Sequence, residues 1–167
     1  GGLAGPPPRE AVTESFNGTS WTEVGDLNTA RRNMGSCGTT TAALVTGGGP
    51  PDLDVTETYN GTAWTEVGDL NTARLSSAGA EKGTTTAALV FGGGPPAKAV
   101  TESYDGSSWT ETGDLNTARS QLGGAGIQTD ALAFAGGPGT KAVTESFNGS
   151  SWTEVADLST ARVAIAY

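Results

Sequence analysis

One tryptophan-centred segment occurs four times in this chain and constrains its fold more than any other feature. Successive Trp residues of this segment are separated by 43, 45 and 43 residues. The copies read TESFNGTSWTEVGDLNTAR (13–31), TETYNGTAWTEVGDLNTAR (56–74), TESYDGSSWTETGDLNTAR (101–119) and TESFNGSSWTEVADLSTAR (144–162). A period of about 44 residues lies in the range of repeats that each form one four-stranded sheet. We expect one all-β domain over residues 1–167, with repeats near 5–46, 47–91, 92–135 and 136–167, the last completed by 1–4.

The composition of each repeat favours strands over helices. Thr, Val and aromatic residues dominate, and no segment keeps a helical period. In the second repeat we predict strands over 32–37, 41–46, 55–59 and 63–67. Asn-Gly or Asp-Gly stands between the last two strands of every repeat, as in a tight hairpin. Small residues in the first strands, such as Gly79, Ala80 and 123–125, suit an innermost strand crowded around an axis.

These residues resemble kelch repeats. The resemblance lies in a double glycine ending a strand (AALVFGG, 87–93), then an aromatic residue, then Trp, then an Arg that opens the next strand. It covers essentially the whole chain, although the aromatic-to-Trp interval of five is shorter than in many kelch proteins. Kelch resemblance implies a β-propeller, here with four blades of four antiparallel strands. The near-identical Thr- and Gly-rich copies are also similar in style to kelch-like repeats of structural proteins of marine bacteriophages.

The phase of the repeat suggests how such a ring closes. Leu3 aligns with Phe134, late in a second strand, whereas residues 162–167 correspond to a first strand. We therefore expect a closing blade shared between the N-terminal and C-terminal strands, which hides the sheet edges. Two alternatives stay open: two chains form an eight-bladed ring, or the chain is a piece of a longer one.

Composition excludes several kinds of chemistry. The chain has no His and a single cysteine, Cys37. Catalytic pairs that use His, His-metal sites, an internal disulfide and cysteine zinc sites are therefore excluded, and we expect no cofactor. The net charge of −9 leaves no basic face for nucleic acid. No apolar run approaches membrane-spanning length, so we expect no membrane insertion.

Aromatic and turn residues of the repeat have both structural and functional interpretations. A large aromatic residue at fixed phase favours packing between blades, and a sugar-stacking platform is the alternative; the residues are Trp21, Trp64, Trp109 and Trp152. The Asn-Gly-Ser/Thr triplets at Asn17, Asn60 and Asn148 match N-glycosylation acceptors. Because Asp105 occupies the same place in the third copy and supports only the turn, we interpret all four as turns.

Two charged series recur in every repeat. Alternation along residues 12–16 places each Glu on the face of the Val and the aromatic residue, where a charge needs a partner. The acids are Glu14, Glu57, Glu102 and Glu145, and the recurring bases are Arg31, Arg74, Arg119 and Arg162. We predict structural Glu–Arg pairs; the functional alternative is an anion site formed by the four Arg residues.

A third acidic series begins the Asp-Leu-Asn/Ser-Thr turns, at Asp26, Asp69, Asp114 and Asp157. Carboxylates here suit calcium, but each repeat offers one clear carboxylate, so we predict turn capping by Asp and Asn. Asp52 and Asp54 are a weaker calcium candidate because one repeat alone carries them.

The connections after the glycines break the repeat and are the candidate recognition loops. We expect them to share a face with the DLNTAR turns, and loops on a rigid scaffold commonly carry recognition. Their charged residues are Arg9, Glu10, Asp52, Asp54, Lys98 and Lys141. Tolerated drift in exposed loops is the alternative.

Most acids recur as repeat elements, whereas catalysis needs different residues in different roles, so we expect no enzyme. Resemblance implies a phage-particle component, located in the virion or outside the cell. Such a component would contact other virion proteins or a host-surface protein or glycan, with a homo-oligomer as one arrangement. The alternative function is a bacterial kelch module that binds a protein or glycan through these loops.

Overall fold

The regular structure of this chain is β-sheet throughout the part described. The computed structural model describes the backbone of residues 2–3 and 9–163 and the side chains of residues 10–163. Within these ranges there are strands, turns and bends and no helix, so the all-β prediction is confirmed.

The first repeat forms two separate pairs of strands. β1 (Gly2–Leu3) pairs antiparallel with β2 (Arg9–Glu10), and β3 (Glu14–Phe16) pairs antiparallel with β4 (Trp21–Glu23). The predicted closing blade would take its first strand from residues 162–167, of which 164–167 lie outside the described residues.

Each of the three later repeats forms one four-stranded antiparallel sheet in sequence order. The second repeat consists of β5 (Gly35–Thr39), β6 (Ala42–Thr46), β7 (Thr56–Tyr59) and β8 (Trp64–Glu66). The third consists of β9 (Ala78–Gly79), β10 (Ala88–Phe91), β11 (Thr101–Tyr104) and β12 (Trp109–Glu111). The fourth consists of β13 (Gly123–Ile127), β14 (Asp130–Phe134), β15 (Thr144–Phe147) and β16 (Trp152–Val155).

The first strand of a sheet begins later than the sequence predicts. We expected a strand over 32–37, but β5 starts at Gly35, because Asn33 adopts a φ of 56°. The equivalent residues Ser76 and Gln121 have φ values of 54° and 52°. This left-handed conformation interrupts an extended strand. The matching segment of the last repeat has an isolated bridge between Arg162 and Lys141, and its remaining residues, 164–167, lie outside the described ranges.

The first strands of the three sheets lie against one another, with β9 between β5 and β13. A Cβ atom on Gly79 would stand 2.6 Å from the Ser36 carbonyl oxygen, and one on Gly124 would clash with the Gly79 carbonyl oxygen. Because backbone atoms cannot move aside, only glycine fits at these two positions. The predicted crowding of small residues in the first strands is therefore confirmed here.

The hydrophobic core fills the spaces between neighbouring sheets. β10 is buried along its whole length, and alternate side chains point to opposite sides. Leu89 and Phe91 pack with Phe147 and Trp152 of the fourth repeat. Ala88 and Val90 pack on the other side of β10, in a cluster that includes Leu44 of the second repeat. The sheet of the third repeat is therefore covered on both faces.

Candidate functional site

A buried Arg–Glu pair joins each repeat to the next. The Nη2 atoms of Arg31 and Arg119 donate to Glu57 Oε1 and Glu145 Oε1 at 2.8 Å, and Arg74 donates in the same way to Glu102. All six side chains have an exposed fraction of 0%. The other terminal nitrogen donates to a valine carbonyl two residues before the Glu, at 2.7, 2.7 and 2.6 Å for Val55, Val100 and Val143. The described residues thus contain three Glu–Arg pairs, each between repeats.

The carboxylate of each pair also receives hydrogen bonds from the turn that carries the Arg. Glu102 Oε2 accepts from the backbone N–H and the side-chain amide of Asn71, at 2.7 and 2.9 Å, and Oε1 accepts from the Thr72 N–H at 3.2 Å. Asn71 also donates to the Trp109 carbonyl at 2.8 Å. The same contacts recur at Asn28 and Asn116. These Asn side chains therefore bind the next repeat, and the prediction that they cap their own turn is wrong.

Burial and the carboxylate have opposite effects on these Arg residues. Removal from water lowers the pKa of Arg31, Arg74 and Arg119 below the ordinary value, and the Glu partner of each opposes that shift. A guanidinium without solvent is stable only beside an opposite charge that is itself hydrogen-bonded. The pair and its Asn–Thr turn therefore act as one unit, which we call the inter-repeat clamp.

Three of the four repeated Trp residues add a hydrogen bond to the clamp. Trp64, Trp109 and Trp152 donate through Nε1 to the Oγ1 atoms of Thr13, Thr56 and Thr101 in the preceding repeat, at 3.1, 3.0 and 3.0 Å. Trp109 and Trp152 are each 5% exposed, so their rings pack between repeats and offer no stacking face to a sugar.

The residues at the two ends of the repeat series are exposed, unlike their counterparts in the clamps. Trp21 is 66% exposed, and Glu14 and Arg162 are exposed as well. Among the described residues, Glu14 and Arg162 form no pair with each other. The prediction of four equivalent pairs therefore does not extend to these two residues, and four Arg side chains do not gather into one anion site.

The recurring Asp residues bind backbone within their own repeat. Asp26, Asp69 and Asp114 accept from the N–H of the Thr that begins the third strand, at 3.3, 3.1 and 3.2 Å. This agrees with a structural role, although the partner lies 13 residues away rather than in the adjacent turn. No cluster of three or more metal-ligating side chains occurs in the described residues.

The Asn-Gly and Asp-Gly segments form tight turns. In each, the side-chain oxygen of the first residue accepts from the N–H groups two and three residues later, at 2.8 to 3.0 Å. The glycine that follows has a φ between 93° and 99° in all four copies. The turn interpretation therefore accounts for Asp105 as well as for Asn17, Asn60 and Asn148.

The candidate recognition loops lie at the opposite end of the sheets from these turns. They are bonded to the DLNTAR segments, for example Leu70 N–H to the Asp54 carbonyl at 2.9 Å and Arg119 N–H to the Lys98 carbonyl at 3.0 Å. Lys98 Nζ donates to Asp52 Oδ2 at 3.1 Å, which links the loops of two successive repeats. Both side chains stay partly exposed.

The remaining charged residues of the candidate recognition loops are Lys141, Asp54, Glu10 and Arg9. Lys141 occupies the place of Lys98 one repeat later, but Ala97 stands where its acidic partner would be, so the same ion pair cannot form. Asp54 is exposed and Glu10 is half-buried. Arg9 lies in β2, and its side chain is outside the described part of the structure.

Sequence reasoning missed the Asn–Thr part of the clamp and the Thr acceptors of the Trp rings. A signal was present, because both types recur at fixed phase with the Glu, Arg and Trp that they bind. Periodicity alone does not say that their partners lie in the neighbouring repeat.

Comparison with known proteins assigns no family. No protein-family model matches the chain, and no curated protein matches it in sequence. Among the described residues, no helix is long and apolar enough to cross a membrane.

Proposed function

We propose that this protein is a non-enzymatic structural component of a phage particle, part of a tail, a fibre or a capsid-associated assembly. In this proposal the repeats are blades of a kelch-like propeller that displays its loops for assembly or host-surface contact. The support from the structure is that successive sheets meet through the same contacts, with their first strands side by side. The support for a phage is the resemblance of the repeats.

The observation that carries a structural role is the inter-repeat clamp. Three boundaries use the same buried ion pair, the same Asn–Thr turn and the same Trp–Thr hydrogen bond. Recurrent acids and bases are therefore engaged in holding the repeats together, which favours a rigid display scaffold over a site with differentiated catalytic roles.

Mass spectrometry of particles tests this role. Phage particles from a host carrying the gene are purified on a density gradient, and the tryptic peptide spanning 142–162 is quantified in each fraction. We expect the peptide to follow the capsid protein at a constant ratio. A peptide found in the soluble fractions alone would rule out the particle role.

The alternative function is a module that binds a protein or glycan through its loop face. The Asp52–Lys98 pair favours it, because the pair brings loops of successive repeats into one mixed-charge surface. The test measures saturable binding of purified host-surface polysaccharide to the chain. The double variant D52A/K98A should weaken that binding, whereas N17A, at the opposite end of the sheets, should not.

A further inference from the structure

The inter-repeat clamp has two different halves. The lower-numbered repeat supplies the half that carries the Arg of the ion pair, which we call the donor half. This half also contains the Asn–Thr turn and the Thr hydroxyl that accepts a hydrogen bond from Trp. The higher-numbered repeat supplies the acceptor half, which contains the Glu and the Trp. Within the described residues, the acceptor half on the first repeat and the donor half on the last are both exposed.

The free acceptor half is already in the conformation of the occupied ones. The rings of Phe16 and Trp21 stand 5.1 Å apart at an interplanar angle of 35°, against 5.0 Å and 36° for Tyr104 and Trp109. The difference is exposure: Trp21 is 66% exposed and Phe16 44%, whereas Trp109 is 5% exposed. Glu14 lies beside them on β3, also exposed.

The free donor half is also formed. Arg162 Nε donates to the Thr160 carbonyl at 3.2 Å, as Arg74 Nε does to the Thr72 carbonyl at 3.3 Å. Leu158 N–H donates to the Ala142 carbonyl at 2.9 Å, matching the Leu70 N–H bond in the second repeat. Arg162 is exposed, and its guanidinium forms no ion pair with a carboxylate among the described residues.

Apolar side chains of the last repeat also match the exposed aromatic residues of the first. At the boundary between the third and fourth repeats, Phe91 packs on Trp152 with ring centroids 4.8 Å apart, and Leu89 lies in the same cluster. The residues that occupy these two places in the fourth repeat are Phe134 and Leu132, and Leu132 is 41% exposed. They are the counterparts that Trp21 and Phe16 lack.

We propose that the acceptor half of one molecule binds the donor half of a second copy of this chain. Arg162 would then pair with Glu14 of the other copy, Trp21 Nε1 would donate to Thr144 Oγ1, and the exposed apolar side chains would be covered. Both halves are exposed in the same chain, so they do not bind each other within it. The charge, the hydrogen-bonding groups and the shape of each half all match a partner repeat of the same kind. Such a contact is head-to-tail, and it generates rings or filaments.

One difference weakens the contact relative to those within the chain. Ser159 stands where Asn28, Asn71 and Asn116 stand in the earlier repeats. The hydrogen bonds that the Asn side-chain amide donates to the Glu carboxylate and the Trp carbonyl are therefore lost. Association should accordingly be reversible and dependent on concentration.

Light scattering after size-exclusion chromatography tests the contact with variants blocked on one side. The wild-type chain should increase in mass with concentration. E14R, which blocks the acceptor half, and R162A, which removes the charge of the donor half, should each lower the association constant by about 100-fold or more. E81R makes the same charge change on an exposed turn away from both halves and should associate as wild type does.

Mixing decides between this contact and a non-specific one. An equimolar mixture of E14R and R162A retains one intact acceptor half and one intact donor half, so it should give a dimer and nothing larger. A wild-type chain that stays monomeric at every concentration would overturn the proposal. So would a mixture of the two variants that fails to associate. Circular dichroism of each variant establishes that it is folded.

Discussion

Glu102 and Glu111 are direct cross-strand partners between β11 and β12, yet Glu102 is fully buried and Glu111 is exposed. Like charges in this position destabilise a sheet. The guanidinium of Arg74 binds Glu102, and the charge of Glu111 also acts favourably on Arg74. The arrangement therefore depends on the Arg that the preceding repeat supplies.

Removing the charge of Glu102 should be costly. E102Q keeps the shape of the side chain but leaves the buried Arg74 without its counter-charge, and we expect a loss of about 3–5 kcal/mol in the free energy of unfolding. Urea denaturation measures this loss. E111Q, the same change at the exposed partner, should stay within about 0.5 kcal/mol of wild type. Equal losses in the two variants would contradict the role of the clamp.

The Trp–Thr hydrogen bond gives a second test. W109F removes the Nε1 donor to Thr56 and part of the ring volume from a buried site, so we expect a loss of about 1–3 kcal/mol in unfolding free energy. W21F changes the exposed member of the series and should alter the stability of the monomer by less than about 0.5 kcal/mol. Thermal and urea unfolding at a concentration where the chain is monomeric compare the two. A larger loss for W21F would contradict the structure.

Ala135 offers a stabilising substitution. It adopts a φ of 63°, whereas glycine occupies the equivalent positions Gly47 and Gly92, with φ values of 67° and 68°. A135G should relieve this strain and raise the unfolding free energy by about 0.5–1 kcal/mol. The reverse change, G92A, places a Cβ 2.7 Å from the Arg119 carbonyl oxygen and should lower it. A melting temperature that falls in A135G would show that the strain is absent.

Cys37 should react slowly with thiol reagents. Burial raises the pKa of its thiol from the usual 9.0 to about 11. At pH 8 the folded chain should therefore hold roughly 100-fold less thiolate than the unfolded chain, and its reaction with a disulfide reagent should slow accordingly. The rate in urea provides the reference. Equal rates in folded and unfolded protein would contradict this environment.

Asp105 should make the stability of the folded chain depend on pH. Backbone N–H bonds from Ser108 and Ser107 lower the pKa of its carboxyl from 3.8 to about 2. A lowered pKa in the folded state means that the carboxylate stabilises the turn fully above the unfolded value, and that this stabilisation is lost as the pH falls towards 2. NMR titration of the Asp105 carboxyl carbon should give this low pKa.

The other repeats provide matched variants for that titration. D105N restores the residue found in the other three turns, so it should keep the stability at neutral pH and flatten its decline in acid. N148D should acquire a carboxyl with a similarly low pKa, because the Ser150 and Ser151 N–H groups already bind the Asn148 side-chain oxygen at 3.0 Å. An ordinary pKa at residue 148 in N148D would contradict the shared turn geometry.

The sequence by itself determined the number of repeats, their all-β character, their hairpin turns and the need of each buried Glu for an Arg. These properties follow from residues close together in the chain or from strict periodicity, as in the Asn60-Gly61 turn. Periodicity also made Glu14, Trp21 and Arg162 look equivalent to their counterparts in the other repeats.

Only the tertiary structure decided which Glu each Arg binds, that the side chain of Asn71 binds the next repeat, and that Trp21 and Arg162 are exposed. Partners such as Arg74 and Glu102 lie 28 residues apart, and their pairing depends on how neighbouring sheets pack. A local pattern repeats identically at every position along the chain. Burial, in contrast, depends on whether a neighbouring repeat is present on each side, which is why equivalent residues have different surroundings at the ends of the series.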